Sequence, residues 1–488
     1  MKDIKYSFYN VIVPIAEKSE YLIYNLISGG LEVLNWEQGS YVETVGQSVL
    51  RLDDSVGAER HKLLNYLYDK GFFVKGDLNE REEYNKFYSK KRELLYDKDD
   101  GSINLTVGTT IMCNMGCPYC FEFVKPNKSL NDIENLRSII NYINDMLEQS
   151  PVKRWHALNV TWYGGEPLIN KNAISRLTPM LKDLCAKHGI SYSANIITNG
   201  ILLTSDNWAL LKNCDVKNVQ ITVDGPQKTH DKSRPLKGRN NEKKNYFQIL
   251  ENLCLMPAGM HVTVRINTDR EIADSIDELF QDFHVFGLWP MRSDQISFST
   301  AWLRTYEEAN ESDLSARFSV GDFFDFQQSF RLNLVTRYNR WAAQNQREQA
   351  RLKWVLPEIQ DECATWVSPY SLVVDPDGNI HKCWETIHDG KEAISHVSQG
   401  FKIESHQPYM DYDRSQVNEI CSSCKYLPVC DKLSCSHQAL KEGMPDCTPW
   451  KTKTEDSLKH QYLLMDSRPD LIIFPGHTNK VNTGHSNK

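Results

Sequence analysis

The chain has 488 residues, 40% apolar and 25% charged, the balance of an ordinary soluble globular protein with about three domains. Its 56 basic and 64 acidic side chains give a net charge of −8 without any lysine or arginine block, which argues against a nucleic-acid partner. No apolar run approaches the roughly 20 residues needed to span a bilayer, and Met1-Lys2-Asp3-Ile4-Lys5-Tyr6 lacks the apolar core of a signal peptide. A cytoplasmic protein without membrane association is expected. Thirteen cysteines without an export signal then point to metal or redox chemistry rather than to disulfides.

Residues 1–98 read as a small N-terminal α+β domain. The β-rich runs 9–15 and 21–27, separated by a charged turn, predict a hairpin. A further run follows at 31–36, then a helix with Leu63, Leu64 and Leu67 on one face, closed by Gly71. A charged, solvent-facing helix is expected over 79–95.

From residue 99 to 301 strand-like runs alternate with helical patterns. The strands are expected at 103–107, 158–162, 192–198, 219–223, 262–266 and 296–299, with helices at 133–147, 174–187 and 276–286 among those between them. Six βα repeats imply a parallel sheet. Directly after the first strand comes Cys113-Asn114-Met115-Gly116-Cys117-Pro118-Tyr119-Cys120. Three soft thiolates this close can face one iron–sulfur cluster or one soft metal, and a fourth position left open suits a reactive site.

This motif, with an aromatic residue before its last cysteine, resembles that of the radical S-adenosylmethionine (SAM) enzymes. The resemblance implies a (β/α)6 partial TIM barrel, a [4Fe–4S] cluster on Cys113, Cys117 and Cys120, and SAM on the open iron. Further motifs match strand by strand. Tyr163-Gly164-Gly165-Glu166-Pro167 follows the second strand; the resemblance assigns Glu166 to the SAM amino group, with Gly164 and Gly165 allowing close backbone approach. Thr198-Asn199-Gly200 ends the third strand and Thr222-Val223-Asp224-Gly225 the fourth. Tyr119, Thr222 and Arg234 are likewise implied to contact SAM, and a guanidinium suits its carboxylate through planar paired hydrogen bonds.

Residues 302–360 read as a helical bridge, and 361–450 as a cysteine-rich module with Cys363, Cys383, Cys421, Cys424, Cys430, Cys435 and Cys447. This module resembles the SPASM extension, which binds two auxiliary [4Fe–4S] clusters in enzymes that act on peptides and proteins. By position, Cys363, Cys383 and Cys435 would serve the first auxiliary cluster, although the spacing before Cys435 is one residue longer than usual. Cys421, Cys424, Cys430 and Cys447 would hold the second. Cys185, Cys214 and Cys254 lie on or at the ends of barrel helices and read as small buried residues. A C-terminal helix and tail, 451–488, complete the chain, with a mobile tail expected from about 467.

The hairpin-plus-helix unit resembles the peptide-recognition domains of maturases that act on ribosomally made peptides; a domain that merely caps the barrel is the alternative. The resemblance as a whole implies a radical SAM/SPASM peptide maturase. It would cleave SAM to a 5′-deoxyadenosyl radical that takes hydrogen from a precursor peptide, with flavodoxin or ferredoxin as electron donor. The outcome, a thioether, a carbon–carbon crosslink or an excised backbone fragment, would be set by the peptide. Anaerobic sulfatase-maturating enzymes are the alternative. They carry an aspartate base immediately after the cysteine corresponding to Cys383; here Trp384 stands there, and only Glu385, one position on, offers a carboxylate. A non-catalytic zinc or iron–sulfur regulatory module is the alternative of another class.

Overall fold

A computed structural model describes residues 2–46, 48–52, 56–94, 99–122, 126–238, 245–303, 316–443 and 446–475. The chain divides into two compact units: Met1–Arg92 with Gln327–Glu362 and Asp413–Lys488, and Glu93–Phe326 with Cys363–Tyr412. The stretch expected as one SPASM-like module thus contributes 363–412 to one unit and 413–450 to the other.

In the first unit the N-terminal elements are β1 (Lys2–Tyr6), β2 (Asn10–Ile15), β3 (Glu20–Asn25), β4 (Leu31–Asn35), α1 (Trp36–Val45), β5 (Val49–Leu52), α2 (Ala58–Asp69), β6 (Phe73–Lys75) and α3 (Glu80–Glu93). The hairpin read from the sequence is β2 and β3, and β4 extends it into an antiparallel sheet. β1 lies between β5 and β6 in a second antiparallel sheet. It escaped the sequence reading because charged residues alternate with Ile4 and Tyr6, the two that are buried. α1 starts where Asn35 and Gln38 cap each other reciprocally: Gln38 N donates to Asn35 Oδ1 at 2.9 Å and Asn35 N to Gln38 Oε1 at 3.2 Å. Ile4, Tyr21, Ile23, Leu34, Val42, Leu64, Leu67 and Phe73 share one core. The C-terminal helix Trp450–Ser467 packs on β2, and its Tyr462 hydroxyl donates to Glu20 Oε2 at 2.7 Å. Beyond it, Ile472–Ile473 pairs in parallel with Leu352–Lys353, so ordered structure continues past the point where a tail was expected. The remainder of that tail, 476–488, lies outside the described residues, as does 304–315 of the bridge. The described part of the bridge holds the 25-residue helix Val320–Gln344.

The second unit is built on one sheet. Its barrel strands are β7 (Asp100–Thr110), β8 (Arg154–Gly164), β9 (Ser191–Thr198), β10 (Val216–Thr222), β11 (His261–Thr268) and β12 (Ile296–Trp302), all neighbours parallel. Helices Ile133–Gln149, Lys171–His188, Ser205–Asn213, Asn245–Cys254 and Ile276–Val285 lie between them in the chain. Alternation explains the layering. Ile103, Leu105 and Val107, Leu158, Val160 and Trp162, and Val262, Val264 and Ile266 are buried. The alternate positions carry Asn104, Asn159 and Ser193, joined side to side by hydrogen bonds of 3.1 and 2.7 Å. The sheet does not stop at β7. Ser371–Val374 pairs with it in parallel, and Asn379–His381 and Ser395–His396 extend the sheet to nine strands. Among the described residues no helix is long and apolar enough to cross a membrane.

Candidate active site

The cysteine loop, the glycine turn and the motifs that end β9 and β10 meet at the C-terminal ends of the strands, where barrels of this kind place their chemistry. The cysteine loop leaves β7 and is held from two sides. Met115 bridges Leu236, Gly116 N donates to Pro235 O, and Lys237 N to Asn114 O, each at 2.8 Å, so the segment after Arg234 runs alongside the loop. From β8, Gly165 N donates to Thr110 O and Glu166 N to Met112 O at 2.9 Å. Gly164 has φ of +121°, and a Cβ on Gly165 would lie 2.4 Å from Ile111 O and 2.5 Å from Met112 O. The two glycines are therefore required by the close approach of β8's end to the cysteine loop.

Cys113, Cys117 and Cys120 are all half-buried. Met115 N points at Cys113 Sγ from 3.4 Å, and Asn199 Nδ2 donates to Asn114 Oδ1 at 2.6 Å. Glu166 is fully buried, and its carboxylate accepts from Thr198 Oγ1 at 2.8 and 2.9 Å, Asn199 N at 2.8 Å and Leu168 N at 3.0 Å. Burial pushes this carboxyl up against the pull of those hydrogen bonds. The residue expected to receive an ammonium group thus also ties the end of β9 to the turn after β8.

Opposite stands a second polar knot. The Tyr119 hydroxyl donates to Asp224 and accepts from Arg234 Nη1. Arg234 Nη1 lies 3.7 Å from Asp224 Oδ2, with Asp224 fully buried. Asn267, near the end of β11, donates its N to Asp224 Oδ1 at 2.9 Å and its Nδ2 to Tyr119 at 3.3 Å. Burial raises the Asp224 carboxyl and Arg234 opposes the rise. Arg234 Nε is buried without a partner, so the guanidinium has a donor to spare for an anionic ligand. Thr222, also buried, ends β10 just before this knot. The sequence reading gives no role to Asp224, Asn199 or Asn267; a carboxylate closing a barrel strand was the available signal for the first.

Cys363 is exposed and Cys383 half-buried, both in the second unit. Between them Lys382 is fully enclosed, its Nζ donating to Ser368 O at 2.6 Å and Ser371 O at 2.9 Å. Trp384 lies against Tyr163, ring centres 5.2 Å apart, beside Ile111, Val373 and Ile387. Glu385 is half-buried and bears electrostatically on the Tyr163 hydroxyl. Cys421, Cys424, Cys430, Cys435 and Cys447 belong to the first unit. Cys421 is within charge–charge reach of Cys424 and Cys447, and Lys451 Nζ lies 3.6 Å from Cys447 Sγ. Cys185 and Cys214 are buried as expected, but Cys254 is exposed because it is the last residue of its helix.

Residues 107–279 match the family model of the Radical SAM superfamily. The radical SAM cyclopropyl synthase TigE of Paramaledivibacter caminithermalis is 26% identical over 257 residues, 49% of this chain and 52% of that protein. The serine-type anaerobic sulfatase-maturating enzyme of Bacteroides thetaiotaomicron is 26% identical over 148 residues, 30% and 34% of the two chains. The chain thus spans about half, or less, of the length of these curated relatives. Among solved structures, native anSMEcpe with bound AdoMet and the Cp18Cys peptide superposes with a TM-score of 0.53 at 15% identity, covering 76% of this chain and 99% of its own, a likeness of fold. The thiolate loop, the glycine turn and the Arg234 knot stand inside the matched region, and residues 107–279 are a radical SAM domain, of the family that works with a [4Fe–4S] cluster and SAM.

Proposed function

We propose that the protein is a radical SAM peptide maturase that takes hydrogen from a ribosomally made precursor peptide. The observation that favours this over sulfatase maturation is Trp384. Sulfatase maturases of the resembled family place an aspartate base at this position, and here an indole fills it, packed against Tyr163 in an apolar cluster. The likeness to TigE over 49% of the chain supports the same choice.

The residues fit the cofactors the family uses. Cys113, Cys117 and Cys120 would hold the cluster, which with SAM supplies a carbon radical able to remove an unactivated hydrogen. Met115 N steadies the Cys113 sulfur. Gly164 and Gly165 keep β8's end close to the loop, and Glu166 offers a carboxylate for an ammonium group. Arg234, held by Tyr119 and Asp224, leaves its Nε unused and would offer it to a carboxylate. Tyr163 and Trp384, packed on Ile111, Val373 and Ile387, would help keep water from the radical. Cys363 and Cys383, with Cys435 on sequence grounds, and Cys421, Cys424, Cys430 and Cys447 would hold auxiliary clusters. Glu385, whose charge bears on the Tyr163 hydroxyl, is the carboxylate we assign to moving a substrate proton. The reductant would be a flavodoxin or ferredoxin, and the setting cytoplasmic.

The test is an anaerobic assay with reductant, SAM and synthetic peptides read by mass spectrometry. A precursor peptide drawn from a short reading frame next to this one should lose hydrogen in step with 5′-deoxyadenosine release. Formylglycine on a sulfatase peptide, with no change in the precursor, would overturn the proposal.

A further inference from the structure

Arg414 is fully buried in the first unit, on the short turn Arg414–Gln416 ahead of Cys421. Its Nη2 donates to the Tyr84 hydroxyl and, at 3.3 Å, to Pro428 O, a carbonyl inside the loop between Cys424 and Cys430. Gln360 N donates to the same carbonyl at 2.9 Å. The guanidinium carbon sits 4.7 Å from the centre of the Tyr88 ring, one turn along α3 from Tyr84. Its Nε and Nη1 are buried with no hydrogen-bond partner. Among the described residues no carboxylate lies within ion-pair distance of it; Glu362 is near enough for the charges to interact but makes no such contact.

A guanidinium is charged at every pH a folded protein meets, and burying it uncompensated is costly. The loop that anchors it carries two of the four cysteines of the second auxiliary set. Arg414 is also within charge–charge reach of Cys430. A four-iron cluster on four thiolates is an anion and becomes more negative when it gains an electron. A fixed cation at its edge compensates that charge and favours the reduced state, since net charge and hydrogen bonds to sulfur set such potentials.

We propose that Arg414 is a charge-compensating residue for the cluster on Cys421, Cys424, Cys430 and Cys447, raising its one-electron reduction potential. No bond forms or breaks at Arg414; the electron enters and leaves the cluster alone. The inference rests on the reading of these four cysteines as cluster ligands.

The full chain, reconstituted anaerobically, would be titrated with dithionite and mediators while its iron and electron paramagnetic resonance are followed. The signal lost in Cys430→Ala, with about four irons, is the one to track. In Arg414→Gln its reduced-to-oxidised ratio at fixed potential should fall about tenfold, a downward shift of about 59 mV, whereas Arg414→Lys should stay near the parent. An unshifted ratio in Arg414→Gln with iron intact makes Arg414 a strut for α3 and overturns the inference alone. If Arg414→Gln loses the cluster, retention at the parent potential in Arg414→Lys supports the inference, and loss or an equal shift in Arg414→Lys overturns it. If Cys430→Ala loses neither iron nor signal, the ligand assignment itself fails and the inference with it.

Discussion

At the scale of single residues the cysteine loop makes the sharpest prediction. Replacing Cys113, Cys117 and Cys120 by alanine should remove about four irons and abolish 5′-deoxyadenosine formation, read by iron assay and chromatography. Persistent SAM cleavage in the triple variant would move the catalytic cluster elsewhere. Gly165→Ala tests the close approach from the other side. Its methyl group would press on Ile111 O and Met112 O, both under 3 Å away, so the strand end or the cysteine loop must shift. A loss of about 1–3 kcal/mol and incomplete iron loading are expected, read by thermal melting of reconstituted protein. These positions were legible because glycine and cysteine announce their chemistry at fixed spacing. Asp224 and Asn267 were not: each is an ordinary polar residue until the parallel register of β10 and β11 brings it to Tyr119. The burial of Glu166 was equally hidden, since its partners Thr198 and Asn199 come from the next strand.

At the scale of elements the strand Ser371–Val374 matters most, because it joins β7 and leads on to Cys383. Its own sequence is a short apolar run that periodicity could not distinguish from a buried turn, and its partner lies more than 260 residues earlier. Val373→Asp would place an unpaired carboxylate against Ile111 and Ile387 in a fully buried site. The strand should detach, and iron content should drop by about one four-iron cluster with Cys113, Cys117 and Cys120 still loaded. Unchanged iron would mean that Cys363 and Cys383 bind none. A pH effect belongs to the same region. His406 is fully buried, its Nε2 3.2 Å from the Tyr142 hydroxyl and Nδ1 3.5 Å from Lys382 Nζ. Burial, and then the Lys382 charge, push it from 6.5 down to about 3. A neutral imidazole held this way stabilises the fold fully above pH 6.5 and progressively less as pH falls toward 3, because the unfolded chain takes up the proton first. At pH 5 the loss is about 2 kcal/mol. In His406→Gln the melting temperature should therefore drop less between pH 7 and 5 than in the parent; an equal drop would assign the acid sensitivity to other groups.

At the scale of the whole molecule the N-terminal hairpin and helices are not an appendage to their unit. The unit is assembled from three separated stretches of chain. β2 supports the helix Trp450–Ser467, Lys459 pairs with Glu17 at 2.9 Å, and Tyr24 donates to Pro357 O. Tyr84 of α3 meets Arg414 beside the second auxiliary cysteines. The sequence reads this stretch as a peptide-recognition-like or capping domain; within the unit its α3 meets Arg414, which also reaches Pro428 O between Cys424 and Cys430. Removing residues 1–92 should accordingly uncover apolar surface on that helix and release about four irons, while a detachable domain would leave iron unchanged. Peptide recognition must then be tested in the intact chain. β4 lies at the edge of the hairpin sheet, a position at which an extended peptide could add as a further strand. Val33→Pro on that strand should weaken precursor binding at least tenfold by calorimetry while iron content and peptide-independent SAM cleavage stay at parental levels. Parental affinity in this variant, with iron retained, would leave the hairpin sheet a structural element and place the peptide site elsewhere.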